Sequence, residues 1–344
     1  MGPYSTTRLI QARKPLDMPT AFIRDRFFGG GSPILFETDE IAFDKLKMRR
    51  KLAPFVSPTV PGRARKPRGR QVETFVPAYV KPKHEISPEE NFVRSLGEEF
   101  NGDRSPEIRY AENVVQRLSD QEWEITRTEE WMCCQAWRTG AIVVDGEDYE
   151  TQTIDYSRDS SLTNQLATTA RWGEAGVKPL NDLRLWAKNI STIAGGNVTD
   201  VVMGPEATAI FQADADVREI LDNRRQAGGQ VQMGPIVTGG QDMVAQYIGF
   251  IGQFDFWQYS QKFEDEAGNL VDFWPEYGVG LVAPGQFDGM MAYGAIKDNR
   301  ALRAMRRFPK MWEQDDPSAD FLMTQSAPLP VPGEVNASAY IEVR

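Results

Sequence analysis

The longest regular run of hydrophobic positions begins after Ser105-Pro106. Ile108, Ala111, Val115, Leu118, Ile125 and Met132 recur near the helical spacing, and polar residues fill much of the remainder up to Gly140. Pro106 suits the first helical position behind a Ser105 cap, Glu107 falls in the first turn, and Gly140 is a natural stop. The pattern predicts a helix over about 106–139, a rod of roughly 50 Å at ~1.5 Å per residue. Usual globular helices run to ~10–14 residues. On periodicity alone this one reads as a long core or coiled-coil helix.

Shorter patterns follow. The stretch AIVVDGEDYETQTIDY (141–156) reads as a hairpin, with Asp145-Gly146 supplying the positive φ angles of a type I′ turn. VTDVVM (198–203) reads as a buried strand, and Gly204-Pro205 opens a helix whose Ala207, Ile210, Phe211, Val217 and Leu221 share a face. QYIGFIGQFDFWQY (246–259) and LVDFW (270–274) are expected as strands around the loop EDEAGN (264–269), with GVGLVAP (278–284) as another. VNASAYIEV (335–343) alternates Val335, Ala337, Ala339, Ile341 and Val343 with more polar residues, the pattern of a half-buried strand returning to the long helix and hairpin.

The first 45 residues show no long period and read as an arm that gains order by lying on something else. Gly29, Gly30 and Gly31 follow RDRFF rather than an apolar strand, so a hinge fits better than a phosphate loop. From 46 to 88 the composition shifts. Residues 45–83 carry net charge +11 within a chain of net −10, so the remainder carries −21 and charge is segregated along the sequence. FVSPTV (55–60) and QVETFVPAYV (71–80) are strand-like, and PGRARKPRGR (61–70) between them has the glycine and proline of a loop tip. A long two-stranded arm accommodates prolines 58, 61, 67 and 77, because both of its strands are edges. Such a ribbon is marginal alone in water and expects a surface to lie on.

Composition excludes several chemistries. The chain of 344 residues is 41% hydrophobic and 26% charged, the balance of a folded protein with one large domain or two intermediate ones. No apolar run is long enough to cross a membrane, and the start MGPYSTTRLIQARKP lacks the apolar core of a secretory signal. Cys133 and Cys134 are adjacent, a spacing that suits neither a redox pair nor a zinc site, and read as two buried small residues. His84 is the sole histidine, so any Ser/His/Asp triad would depend on one residue in a lysine-rich extended segment. No nucleotide-binding or zinc-protease motif is present. We expect no enzyme, no cofactor and no bound metal.

Residue-level similarity adds to this reading. VSPTVPG (56–62) with RGRQVETFVPAYVKPKHEISP (68–88) closely resembles the extended loop of the phage major capsid protein E family, the lambda-type capsid proteins. MRRFPKMW (305–312), MTQSAPLP (323–330) and FIGQFDFWQYSQKF (250–263) add matches in consistent order. The resemblance implies an α+β, Hong Kong 97-like fold. Its parts are an N-terminal arm (1–45), an extended loop (46–88), a peripheral domain (89–159 and 301–344) with the long helix as its spine, and an axial domain (160–300). It implies self-assembly into an icosahedral shell, in pentamers and hexamers, around double-stranded DNA. Scaffold, portal and decoration proteins are the implied partners, and the virion the implied location, after assembly in the host cytoplasm.

Charge and pattern together nominate the contact with a neighbouring copy: Arg63, Arg65, Lys66, Arg68, Arg70, Phe75, Val76, Tyr79, Val80, Lys81 and Lys83. Exposed ion pairs contribute only about 0–1 kcal/mol each, so the apolar members are expected to supply more affinity and the charges register and rate. Three alternatives stand beside this. The basic tip could grip nucleic-acid phosphates, although net −10 repels DNA at long range. The shell could be an encapsulin-type compartment for cargo protein. Lys66 could form isopeptide crosslinks of the kind some related shells use.

Overall fold

The computed structural model describes residues 21–38, 40–46, 70–93, 105–146, 149–219, 245–265, 267–301, 304–316 and 318–344. The long helix spans Pro106–Thr139. Ser105 Oγ accepts the Ile108 N–H at 3.4 Å, and Gly140 closes the helix at φ 71°, in the left-handed region. A side chain at 140 would also collide, since its Cβ would lie 2.7 Å from Arg158 Cβ. Arg158 is there because its guanidinium donates to the carbonyl oxygens of Trp137 and Arg138, which lack partners within the helix. Burial lowers its pKa to about 10, which leaves it protonated at neutral pH.

The buried face of this helix differs from the predicted one. Val114, Leu118, Ile125, Met132, Cys133, Ala136 and Trp137 point inward, while Ile108 and Val115 are exposed at 48% and 39%. Gln121, Glu122, Thr126, Glu129 and Glu130 share the buried face. An apolar periodicity cannot place a face that polar residues help to fill. Both cysteines are buried and free, as their spacing suggested.

Two groups of strands flank the helix. Near its start, Phe308–Asp315, Ser318–Gln325 and Lys83–Ile86 form an antiparallel sheet. There Met311, Leu322 and Ile86 enclose a small core with Val114 and Leu118. Near its end lies a six-stranded sheet in the order Thr163–Gln165, Ser338–Glu342, Gly278–Val282, Asp200–Met203, Phe254–Tyr259, Ala245–Ile251. Trp137 joins helix to sheet: its indole donates to the Ala339 carbonyl at 3.3 Å, and its ring meets Phe27 edge-on at 4.7 Å and Trp274 at 5.4 Å. Helices Pro179–Ile193 and Pro205–Ala213 add their apolar faces to the same core.

Three local expectations are corrected. The closing strand is not half-buried: Ser338 through Ile341 are all buried, because Ser338–Glu342 sits inside the six-stranded sheet with neighbours on both sides. Polar and apolar positions are covered alike, so alternation misreports it. In the 141–156 hairpin Gly146 pairs with Tyr149, so Asp145-Gly146 belongs to the strand, with a register shift. The arm, third, finds a surface on its own chain in the part that is described, from residue 21 onward. Phe22–Phe27 is a short helix with Ile23, Phe27 and Phe28 in the main core of its own chain.

Gly140→Ala is expected to lower subunit stability by about 2 kcal/mol, combining the left-handed backbone cost with displacement of the Arg158 cap. Denaturant unfolding of the purified chain measures this; an unchanged midpoint would show that the helix end relaxes freely.

Candidate functional site

The extended loop leaves the body as a two-stranded ribbon. Ile41–Leu46 pairs antiparallel with Arg70–Phe75, in register from Ile41 opposite Phe75 to Leu46 opposite Arg70. The ribbon was expected, but its first strand is 41–46; FVSPTV (55–60) lies outside the described residues, as do Arg63, Arg65, Lys66 and Arg68. Arg70 opens the returning strand.

Beyond the ribbon the chain runs along its own body. The Phe75 ring lies 5.5 Å from Tyr156. Val80 and Ser326 exchange backbone hydrogen bonds at 2.8 and 3.0 Å. Tyr79 Oη donates to Gln325 at 2.5 Å and accepts the Lys297 N–H at 3.0 Å. Lys81 sits over the Tyr79 ring, and Lys83 lies 3.9 Å from the Phe321 ring centroid. His84, on the strand paired with Ser318–Gln325, places Nε2 3.2 Å from Glu124 Oε1.

Phe75, Tyr79, Val80, Lys81 and Lys83 thus each make a contact within their own chain, and of the nominated apolar side chains Val76 is the most exposed, at 39%. Their proline-punctuated segment finds partners along a strand more than two hundred residues away, which composition cannot show.

That loop base rests on a buried ionic joint at the middle of the long helix. Glu129 is fully buried and meets three guanidiniums: Arg307 at 2.6 Å, Arg306 at 2.9 Å and Arg24 at 2.9 Å. Tyr293 Oη donates to it at 2.9 Å. Burial alone would push the Glu129 carboxyl up; the Arg307 charge and hydrogen bond, with Arg306 and Arg24, instead hold it well below the usual carboxylate range. Arg307, itself 1% exposed in its side chain, also reaches Glu122 at 3.3 Å and Ser326 Oγ at 3.0 Å. Ser326 Oγ returns a hydrogen bond to the Arg306 carbonyl.

Glu130 completes the joint. Its two oxygens accept the Ile23 and Arg24 backbone N–H groups, each at 2.8 Å, and the Tyr259 hydroxyl at 2.7 Å. Burial pushes its pKa up against the pull of those donors and Arg24. Sequence reading missed this cluster. Its signal was present in the adjacent carboxylates of TRTEEW and in the paired arginines of MRRFPKMW.

Among the described residues no group of His, Cys, Asp and Glu is arranged to hold a metal, and no helix is long and apolar enough to cross a membrane. The arrangement positions chain segments: arm, long helix and C-terminal segment meet at Glu129 and Glu130. Long helix, ribbon, small sheet and six-stranded sheet together define the Hong Kong 97-like fold. The chain belongs to the phage major capsid protein E family, which it matches over residues 5–343. It is 28% identical to the major capsid protein of Escherichia phage lambda over 340 residues, covering 96% of each chain. It is 29% identical to that of Escherichia phage N15 over 341 residues, again 96% of each. Among solved structures, a putative capsid protein of prophage from E. coli CFT073 superposes with a TM-score of 0.75 at 23% identity, covering 100% of both chains. The bacteriophage PhiM1 mature capsid gives 0.53 at 10% identity, covering 95% of this chain and 88% of that one.

Glu129→Gln is expected to destabilise the subunit by about 3–5 kcal/mol, since it leaves buried guanidiniums uncompensated. Because its folded pKa is depressed, Glu129 contributes fully above its ordinary value of 4.5 and loses that contribution as pH falls below it. Unfolding midpoints from pH 7 down to 3 should therefore fall more steeply on the acid side for the unaltered chain than for Glu129→Gln; parallel curves would refute the assignment.

Proposed function

We propose that this chain is a major capsid protein, many copies of which assemble into an icosahedral shell enclosing the double-stranded DNA of a tailed phage. The observation that carries this reading is the family match over residues 5–343, supported by a fold likeness covering 100% of the chain. Residues 89–159 with 301–344 act as the peripheral domain and 160–300 as the axial domain, with Ser338–Glu342 lending a strand to the axial sheet. Scaffold and portal proteins are the partners this reading calls for, and a decoration protein on the mature shell is an optional third. Assembly takes place in the host cytoplasm.

The loop is the contact arm. Its ribbon is two strands wide, and residues 45–83 carry net +11 against −21 elsewhere. A marginal cationic ribbon gains stability by crossing the acidic surface of an adjacent copy. With Phe75, Tyr79 and Val80 occupied at the loop base, the basic tip carries more of the encounter than its sequence first suggested. The wall's net negative charge repels DNA at long range, which suits a container that must release its content.

Electron microscopy of the concentrated, purified chain is expected to show closed shells, and a stable monomer at all concentrations would overturn the reading. Assembly should slow as salt rises toward ~1 M, where the Debye length is ~3 Å. Replacing Arg63, Arg65, Lys66 and Arg68 together by Gln should slow assembly several-fold without moving the subunit's unfolding midpoint. Tight, salt-sensitive binding of duplex DNA by soluble subunits, lost in that variant, would favour the nucleic-acid reading instead. Denaturing electrophoresis of mature particles should give one band near the 38.7 kDa monomer; a ladder would establish crosslinking.

A further inference from the structure

The short arm helix Phe22–Phe27 lies between the long helix and the six-stranded sheet and is bonded to both. At its start Ala21 offers no capping side chain, and the carboxylate of Glu130, from the long helix, takes the Ile23 and Arg24 N–H groups instead. Arg24 pairs with Glu129 on that helix. Two residues on, Arg26 reaches the other way, donating to Asp200 Oδ1 through Nη2 at 2.6 Å and Nε at 3.1 Å. Asp200 opens the central strand Asp200–Met203 and is 4% exposed, and it also accepts from the Trp257 indole at 3.3 Å.

The Arg26 guanidinium stacks over the Trp257 ring at 4.3 Å, and Phe22 lies 5.3 Å from Trp257 and 5.8 Å from Tyr259. Tyr259, from the same strand as Trp257, donates to Glu130. Ion pairs, a borrowed cap and aromatic packing thus run from helix to arm to sheet and back. After the arm helix, Gly29 permits a close passage, since a Cβ there would lie 2.3 Å from the Asp25 carbonyl oxygen, while Gly31 has open space around it. The chain then pairs Ile34–Leu35 with Met290–Tyr293.

We infer that Ala21–Phe28 is a clasp that fixes the long helix against the six-stranded sheet, so that the state of the N-terminal arm sets the rigidity of the joint between the two halves of the subunit. Arg26 is the clasp's releasable end, because its side chain is 38% exposed whereas Glu129 and Glu130 are buried. In a shell, which rests on the function proposed above, the same joint sets the angle between neighbouring capsomer parts and hence particle curvature.

Hydrogen–deuterium exchange on the full-length soluble subunit tests this with Arg26→Ala and Arg26→Lys. Arg26→Ala is expected to raise exchange about tenfold at residues 22–28, and also at Phe254–Tyr259 and at the 129–137 stretch of the long helix, while Ser318–Gln325 stays unchanged. Arg26→Lys, which keeps charge but loses the paired hydrogen bonds, should fall between the two. Faster exchange confined to 22–28, or none at all, would overturn the clasp. Particles assembled from Arg26→Ala should show a broader diameter distribution by electron microscopy; a distribution identical to that of the unaltered chain would refute the link to curvature. Absence of shells from the unaltered chain would instead count against the capsid reading and leave the exchange result standing.

Discussion

Glu129 is the residue on which the subunit's geometry turns. A carboxylate without exposure is tolerable only when its charge is answered on the spot, and here the answer comes from Arg24 in the arm, and from Arg306 and Arg307 just ahead of the strand Phe308–Asp315. Arg24 lies far along the chain from Arg306 and Arg307, so the ionised cluster forms only when arm, long helix and C-terminal segment have all arrived. An apolar cluster of similar volume would often hold as well in free energy, but it would tolerate more arrangements. Directional charge selects one.

From that point the loop base follows. Arg307 holds Ser326 by its hydroxyl, Ser326 holds Val80 by its backbone, and Val80 leads into the strand that carries Lys83 and His84. Three of the stretches that bear the family resemblance, 68–88, 305–312 and 323–330, are therefore not scattered likenesses. Much of each converges on one structure, the socket from which the extended loop departs. The intrachain contacts of Phe75, Tyr79 and Lys83 fix that origin, as the contact-arm role proposed above requires.

Much of this fold was legible in the sequence where local rules act alone. Ser105, Pro106 and Gly140 delimit the long helix to the residue, and the mixed α/β lobe follows from short apolar runs between turn formers. What local rules cannot see is burial decided at a distance. Ile108 and Val115 carry the right period yet face outward, and Glu122, Glu129 and Glu130 look like a solvated stripe until Arg306 and Arg307 come down on the first two and the arm's N–H groups on the third. Val335–Val343 alternates as though one face were wet, because nothing in it reports that two strands will flank it. The loop was found by its charge and prolines, but which of its residues face home and which face outward depends on Ser318–Gln325, which the chain supplies only near its end.

The two kinds of charge in this molecule do opposite work, and the contrast follows from dielectric. In the joint, low polarity makes each ion pair strong, costly to break and nearly insensitive to salt, so it serves geometry inside one subunit. On the proposed contact-arm reading, the +11 of residues 45–83 meets a remainder of −21 across a surface, where charge is weak per pair and screened by salt, which suits reversible encounter between copies. A shell that must first assemble with correction of errors and then hold its shape needs both. The arm helix stands at their boundary. Its Arg24 belongs to the buried set and its Arg26 to the half-exposed one, and two residues of spacing on one short helix separate what is permanent from what can be released.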